Sequence, residues 1–266
     1  MSQDIKMVAV DIDGTFVHAD YTYDKPRFRR ILSRMNEAGC RFVVASGNQY
    51  YQLRDLFRDI TMSCLCSGKR RVCQRPDGTG FAAEMPDETV NEIIDLCREY
   101  PEIQNVMCGL ESAYCQKGEV DGEFFEKTKI YYHRLKWTDD FKKVKDQILK
   151  FAPTVPDEKT YYYYDIFRER LAGKAEPTTS GHGSIDVILP GCHKASGLKR
   201  LVKRWGISPE QCAAFGDGGN DIEMLQYCGY SYAMENAAPD VKRAAKHICP
   251  SNEEDGVLVT LEKLFF

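Results

Sequence analysis

Asp11-Ile12-Asp13-Gly14-Thr15 follows the apolar run Met7-Val8-Ala9-Val10, which sets two carboxylates where a buried strand meets solvent. Two acids on one short loop repel each other. A divalent cation relieves that repulsion and leaves one carboxylate free to attack an electrophile. A turn rich in Asp and Gly is also ordinary at strand ends, so the weight falls on a second cluster. Phe215-Gly216-Asp217-Gly218-Gly219-Asn220-Asp221 follows the small apolar run Cys212-Ala213-Ala214. Here a strand delivers Asp217 to a glycine-rich turn whose bare N–H groups can approach an anion, and Asn220 or Asp221 opens the next helix as a cap. Brought to one edge of a parallel sheet, these acids would make an oxygen-rich site for a hard cation such as Mg2+.

The elements that must position them alternate along both ends of the chain. A helix is predicted from about Lys25 to Gly39, with Pro26 in its first turn, then a strand at Arg41–Ala45 ending in Ser46-Gly47-Asn48, a helix through Leu53 and Phe57, and a strand from Met62 to Cys66. Arg70 to Ala83 reads as a hairpin turning at Asp77-Gly78-Thr79-Gly80. Towards the other end come a helix at Ala195–Trp205, a strand at Gln211–Phe215, a helix from Asp221, a strand at Tyr230–Ala233, a helix from Pro239 and a last helix ending near Phe266. This alternation predicts an α/β fold, a parallel sheet flanked by helices, with ligands at the carboxyl ends of the strands. Residues of about 84–189 differ in texture. Helices are expected at Asp87–Tyr100 and Asp139–Phe151 and strands at Lys129–Leu135 and Ser184–Leu189, an α+β insertion in which the run Tyr161–Tyr164 packs as a helix face on a sheet. The expected domains are therefore a discontinuous core, 1–83 and 190–266, and an inserted domain, 84–189.

At 266 residues the chain can bury a large core. Its net charge of -4 comes with dispersed basic residues, which argues against nucleic acid or an anionic membrane as partner. No apolar run reaches the ~20 residues of a membrane helix, and the start does not read as a signal peptide, so a soluble cytoplasmic protein is expected. The eleven cysteines are odd in number and fall on apolar positions such as Cys40, Cys97 and Cys249, which reads as reduced core thiols. Cys64, Cys66 and Cys73 invite a zinc reading, but no C-x-x-C pair occurs and the five histidines lack zinc spacing, so these too are taken as structural.

On its motifs the chain resembles the Cof-type phosphatases of the haloacid dehalogenase superfamily, and is similar to bacterial sugar phosphatases among them. The superfamily signature lies in Asp11–Thr15, Ser46-Gly47-Asn48, Lys194 within Gly191–Gly197, and Gly216–Asp221; the closer similarity rests on Cys108–Tyr114, Tyr132–Lys136 and Thr179–Gly183. The resemblance implies a Rossmann-like core with an inserted α+β cap domain of the C2 type. It implies Asp11 as nucleophile forming an aspartyl-phosphate, and Asp13 as acid and then base. Mg2+ would be held by Asp11, the Asp13 carbonyl and Asp217, with Asp221 acting through water. Ser46, the Gly47 backbone and Asn220 would bind phosphate, and Lys194 would stabilise the charge shared by Asp11 and phosphate. Taken alone, Lys194 would be a solvated charge beside Lys199, Arg200, Lys203 and Arg204. Asn48 stands where relatives often carry a basic residue and is not counted as catalytic. Ser67-Gly68-Lys69 stands near where they carry Asn-Gly.

The expected function is a Mg2+-dependent phosphatase of small phosphate monoesters, sugar phosphates foremost. A phosphomutase would share the aspartyl-phosphate. A phosphoacceptor signalling domain would be about half this length and has no use for Asp13 as acid/base, and a dehalogenase has none either.

Overall fold

The computed structural model of the chain describes residues 4–48, 50–60, 64–67, 72–74, 84–181, 183–191 and 193–266. The chain opens with β1 (Met7–Val10), α1 (Lys25–Glu37), β2 (Arg41–Ser46), α2 (Tyr50–Leu56), β3 (Cys64–Ser67) and β4 (Val72–Gln74). α1 forms because Phe28, Ile31, Leu32 and Met35 recur at helical spacing and are buried, while Asp24 accepts from Arg27 N at 2.9 Å to cap its start. Gly39, in the left-handed region at φ 69, turns the chain into β2. The far end contributes α6 (Lys194–Trp205), β11 (Cys212–Gly216), α7 (Ile222–Tyr227), β12 (Tyr230–Met234), α8 (Pro239–Ala244), β13 (His247–Cys249) and α9 (Gly256–Phe265).

These strands make one sheet in the order β13-β12-β11-β1-β2-β3-β4, parallel throughout except for the β3–β4 pair. β1 and β11 are buried at every position, so helices cover both faces. Strand order reverses between β1 and β11, which pair in register with Val10 opposite Phe215. Such a reversal opens a crevice outside the strand ends. The chain leaves β1 and β11 at that point, and it leaves them at Asp11 and Asp217.

A second sheet, in the order β7-β6-β5-β8-β10-β9, is built from the intervening residues: α3 (Asp87–Arg98), β5 (Gln104–Gly109), β6 (Ala113–Gln116), α4 (Gly122–Thr128), β7 (Leu135–Thr138), β8 (Ile148–Thr154), α5 (Thr160–Arg170), β9 (Glu176–Gly181) and β10 (Ser184–Ile188). α3 and α5 bury Ile93, Ile94, Tyr163 and Phe167 with Met107, Phe151, Ile185 and Val187 of the sheet; α4 supplies Phe125 to a smaller cluster with Val106, Cys108 and Cys115. The β5–β6 turn wraps the Asp146 carboxylate, which accepts from the N–H groups of Leu110, Glu111 and Ser112.

Three expectations are corrected in this region. The helix expected at Asp139–Phe151 is instead a short 3-10 turn at Phe141–Lys143 followed by β8, a central strand between β5 and β10. Phe141, Val144, Ile148 and Phe151 do recur at helical spacing, but Phe151 pairs with Met107 and Val187 on its two sides, and Pro153 disfavours helix for its neighbour. The strand expected at Lys129–Leu135 is a turn as far as Arg134, because the N–H groups of residues 129–132 bond back to carbonyls at the end of α4. Within the tyrosine run only Tyr163 is fully buried; Tyr161 and Tyr162 are exposed. The Asp77–Gly80 turn lies outside the described residues, as do the side chains of Cys64, Cys66 and Cys73. The described cysteines are free and buried.

Phe151→Ala should cost about 3–5 kcal/mol in urea unfolding, because the side chain closes the core between the second sheet and its helices. A loss below 1 kcal/mol would contradict that placement.

Candidate functional site

Asp11 sits one residue beyond β1 and donates its N–H to Phe215 O at 3.1 Å, so its backbone prolongs the β1–β11 ladder. Its carboxylate is buried and ion-paired with Lys194 Nζ at 2.8 Å. Lys194 opens α6 and is 3% exposed, not the solvated charge that its basic neighbours alone would suggest. The same ammonium meets Asp221 Oδ1 at 2.7 Å and Asn220 Oδ1 at 3.3 Å. Asp221 is fully buried. Its other oxygen does not cap α7 forward, as expected; it turns back to accept from Asp217 N at 3.2 Å and Gly218 N at 3.1 Å. Gly216 admits this fold-back, since a Cβ there would lie 2.5 Å from Asp221 Cβ.

Asp217, at the end of β11, accepts from Thr15 Oγ1 at 2.6 Å. Gly14 makes the approach of the two loops possible. It adopts φ 68, and any Cβ would lie 2.4 Å from Asp217 Oδ2. Carboxylate oxygens of Asp11, Asp217 and Asp221 all lie within 4.8 Å of one another. Burial pushes the Asp217 carboxyl up to about 6 and Asp221 up to about 7, with the Asp11 charge adding to both. Three crowded, desolvated carboxylates facing one ammonium fit a hard divalent cation.

Asp13 is turned elsewhere. Its side chain is not among that carboxylate group; Oδ1 accepts from Tyr21 OH at 2.8 Å and Oδ2 from Asn48 Nδ2 at 2.7 Å. Burial, then the Asp11 charge, raises its carboxyl above the usual range against these two donors. Ser46 ends β2 at the same sheet edge, fully buried, with Oγ accepting from Asn48 N at 3.1 Å, and Gly47 follows it. Thus Asp11, Asp217, Asp221, Lys194 and Asn220 form one connected cluster, with Asp13 beside it on a separate hydrogen-bond set. Tyr21, Asn48 and Thr15 carry no sequence signal for what they hold. Tyr21 is a bulky residue in the left-handed region at φ 62, a conformation that costs about 1–3 kcal/mol and occurs preferentially at functional sites.

A model of the haloacid dehalogenase-like hydrolases matches residues 8–261. The 5-amino-6-(5-phospho-D-ribitylamino)uracil phosphatase YbjI of Escherichia coli is 39% identical over 261 residues, 98% of this chain and 96% of that protein. A Bacillus subtilis phosphatase of the same description, YitU, is 25% identical over 286 residues, 97% of each. The solved structure of SMU.1108c from Streptococcus mutans superposes with a TM-score of 0.91 at 33% identity, covering 97% of this chain and 98% of that one. With this breadth of match and this geometry, the chain belongs to the haloacid dehalogenase-like hydrolases, as a phosphoric monoester hydrolase.

Proposed function

We propose that the protein is a Mg2+-dependent phosphatase acting through an aspartyl-phosphate on small monoesters whose phosphate ends a sugar or sugar-alcohol chain. The observation that carries this reading is the division between Asp11, anchored on Lys194, and Asp13, held apart by Tyr21 and Asn48. The relative from Escherichia coli is named for a substrate phosphorylated on a ribityl chain, which fits a polyol phosphate better than a free hexose phosphate alone.

Asp11, Asp217 and Asp221, with the Asp13 carbonyl, would hold Mg2+, which when bound supplies positive charge to the phosphoryl oxygens. Lys194 fixes the Asp11 carboxylate and balances part of its charge. Ser46, the Gly47 backbone and Asn220 hold the remaining phosphoryl oxygens. An Asp11 oxygen attacks phosphorus as the bond to the leaving oxygen breaks, and Asp13 gives its proton to that oxygen. Asp13, now ionised, takes a proton from water as the water oxygen bonds to phosphorus and the Asp11–phosphorus bond breaks. The residues of 84–189 form the second domain, a cap over the strand ends; Thr179 O of β9 lies 3.9 Å from where a Gly219 Cβ would stand.

Three outcomes follow from this reading. Phosphate release from a panel of pentitol, pentose and hexose phosphates should require Mg2+ and stop with excess chelator; transfer of phosphate between positions without release would identify a mutase instead. Asp11→Asn should lower kcat by more than ~10^3-fold with the circular dichroism spectrum unchanged, and Asp13→Asn by about 10^2–10^4-fold; near-normal turnover in either would overturn its assigned role. The third concerns pH. Because Asp217 and Asp221 titrate higher in the fold than in the unfolded chain, their contribution to metal-free stability is complete below about pH 4 and is lost as pH rises through 6 and 7. The gain in Tm from Mg2+ should therefore widen between pH 5 and pH 8, and a constant gain across that range would count against these carboxylates as ligands.

A further inference from the structure

Among the described residues, two that are not glycine take a left-handed backbone: Tyr21 at φ 62 and Asp255 at φ 54. They come from opposite ends of the sequence, and hydrogen bonds join them through His18. His18 Nε2 lies 2.9 Å from Asp255 Oδ1; a carboxylate only accepts, so this nitrogen is the donor. The backbone of His18 closes the turn that contains Tyr21. Its N–H donates to Thr22 O at 2.9 Å, and its carbonyl accepts from Tyr21 N at 3.0 Å. From that turn the Tyr21 hydroxyl reaches Asp13 at 2.8 Å. One path of bonds therefore runs from the start of α9 to the second carboxylate of the first loop.

Apolar packing does not set this turn by itself. Phe16, Val17 and Tyr23 on either side of it are buried, whereas Ala19, Asp20 and Thr22 are exposed. What grips the exposed stretch is the segment that leads into α9. Asn252 Nδ2 donates to Val17 O at 3.0 Å, Asp255 takes His18, and Glu253 Oε1 accepts from Ala19 N at 2.8 Å, so three successive residues of the loop are held from one side. The same segment reaches the front of the loop through Asn236, which accepts from Asn252 N at 3.2 Å and donates to Gly14 O at 2.8 Å. Asp255 is itself braced: its other oxygen accepts from Arg27 Nη1 at 3.3 Å, and Arg27 is fixed in turn by Glu262 of α9 at 2.9 and 2.6 Å. A bulky residue keeps a left-handed backbone only where its surroundings over-determine it, and such residues gather at functional sites. Here the bracing runs from one of the two to the other.

We propose that His18 and Asp255 are positioning residues for the acid of the reaction: through the turn at 18–22 they aim the Tyr21 hydroxyl at Asp13 and so hold that carboxyl in the orientation that hands its proton to the leaving oxygen. Without this hold the Asp13 carboxyl keeps only the Asn48 side chain of its two donors and is free to rotate. The inference rests on the reading of Asp13 as acid and then base.

The test uses two esters that differ in their need for a proton. Ribitol 5-phosphate must have its leaving oxygen protonated, whereas p-nitrophenyl phosphate releases a phenolate that needs no proton, and kcat/KM reports the step in which that oxygen departs. Asp13→Asn sets the scale, with a far larger loss for the ribitol ester than for the aryl ester. His18→Leu, and Asp255→Gly, which removes the carboxylate and keeps a left-handed backbone easy, should each lower kcat/KM about tenfold for the ribitol ester and less than about twofold for the aryl ester. His18→Gln, whose amide can donate to Asp255 in place of Nε2, should return the ribitol ester to within about threefold of the wild type. Equal losses for the two esters, or an unchanged kcat/KM for ribitol 5-phosphate, in whichever of the two disruptive variants folds, overturn the positioning role and leave the phosphatase reading standing. Should the wild type hydrolyse neither ester, or Asp13→Asn slow both alike, the reading of Asp13 fails instead. The hold on its carboxyl is then judged by the crystal structures of His18→Leu and Asp255→Gly: a Tyr21 hydroxyl displaced from Asp13 supports it, and a bond kept in both overturns it.

Discussion

The ammonium of Lys194, shut away from water between Asp11 and Asp221, is the interaction on which the site depends. Burial alone would strip a lysine of its proton, and placing it in the first turn of α6 sets a cation at the positive end of a helix. Two carboxylates within 2.8 Å outweigh both effects and hold the lysine charged. Removing either partner would leave an uncompensated buried charge, which costs far more than the pair contributes. The lysine thus ties the loop after β1 to the turn before α7. It does not neutralise them. With Asp13 and Asp217 the site carries four carboxylates against one ammonium, and that surplus adds to burial in raising Asp217 and Asp221.

Such a cluster could not be assembled on loops of ordinary freedom. The reversal of strand order between β1 and β11 brings two strand ends together with buried ladders on both sides, so the positions of Asp11 and Asp217 are inherited from the sheet core. Glycines then remove what would keep the loops apart. Gly14 gives way to the Asp217 carboxylate and Gly216 to Asp221. The cost of desolvating these acids falls on a large, fully packed sheet that can bear it.

Most of this was legible from residue types. Asp11, Asp13 and Asp217 announced themselves as acids where apolar runs end, Asp221 only as a capping residue, and the alternation of helices and strands around them pointed to a parallel sheet. Lys194 was legible only through its motif, since four basic neighbours made a solvated charge the simpler reading; burial, which no local pattern reports, decided it. The direction of the Asp221 side chain was misread for a related reason. A capping residue and a residue folded back on its own loop look alike in sequence, and the close approach at Gly216 separates them. In the second sheet, β8 was hidden because Phe141, Val144, Ile148 and Phe151 satisfy a helical period, and pairing with β5 and β10 overrode it. Asn48 stood in the second motif but without a role, and Tyr21 had no signal at all, because a tyrosine in a polar loop becomes informative only once its left-handed backbone aims the hydroxyl at Asp13.

The two aspartates of the first loop, two residues apart, therefore live in different electrostatic settings. Asp11 faces an ammonium and a group of acids; Asp13 faces two neutral donors. On the proposed reaction Asp11 is the nucleophile, and the Lys194 ammonium 2.8 Å away offsets part of the charge it would bring up to an anionic substrate. An acid that must also act as base cannot be held so firmly in one state, and neutral hydrogen bonds opposed by burial leave its proton within reach. Those same neutral donors, Tyr21 and Asn48, line a groove that begins at Asp13. A substrate that fits the groove would then settle against Tyr21 and Asn48 and exclude water from Asp13, strengthening the hydrogen bonds there before the proton moves. On the proposed reaction, recognition of the leaving group and readiness of the acid are two consequences of a single contact.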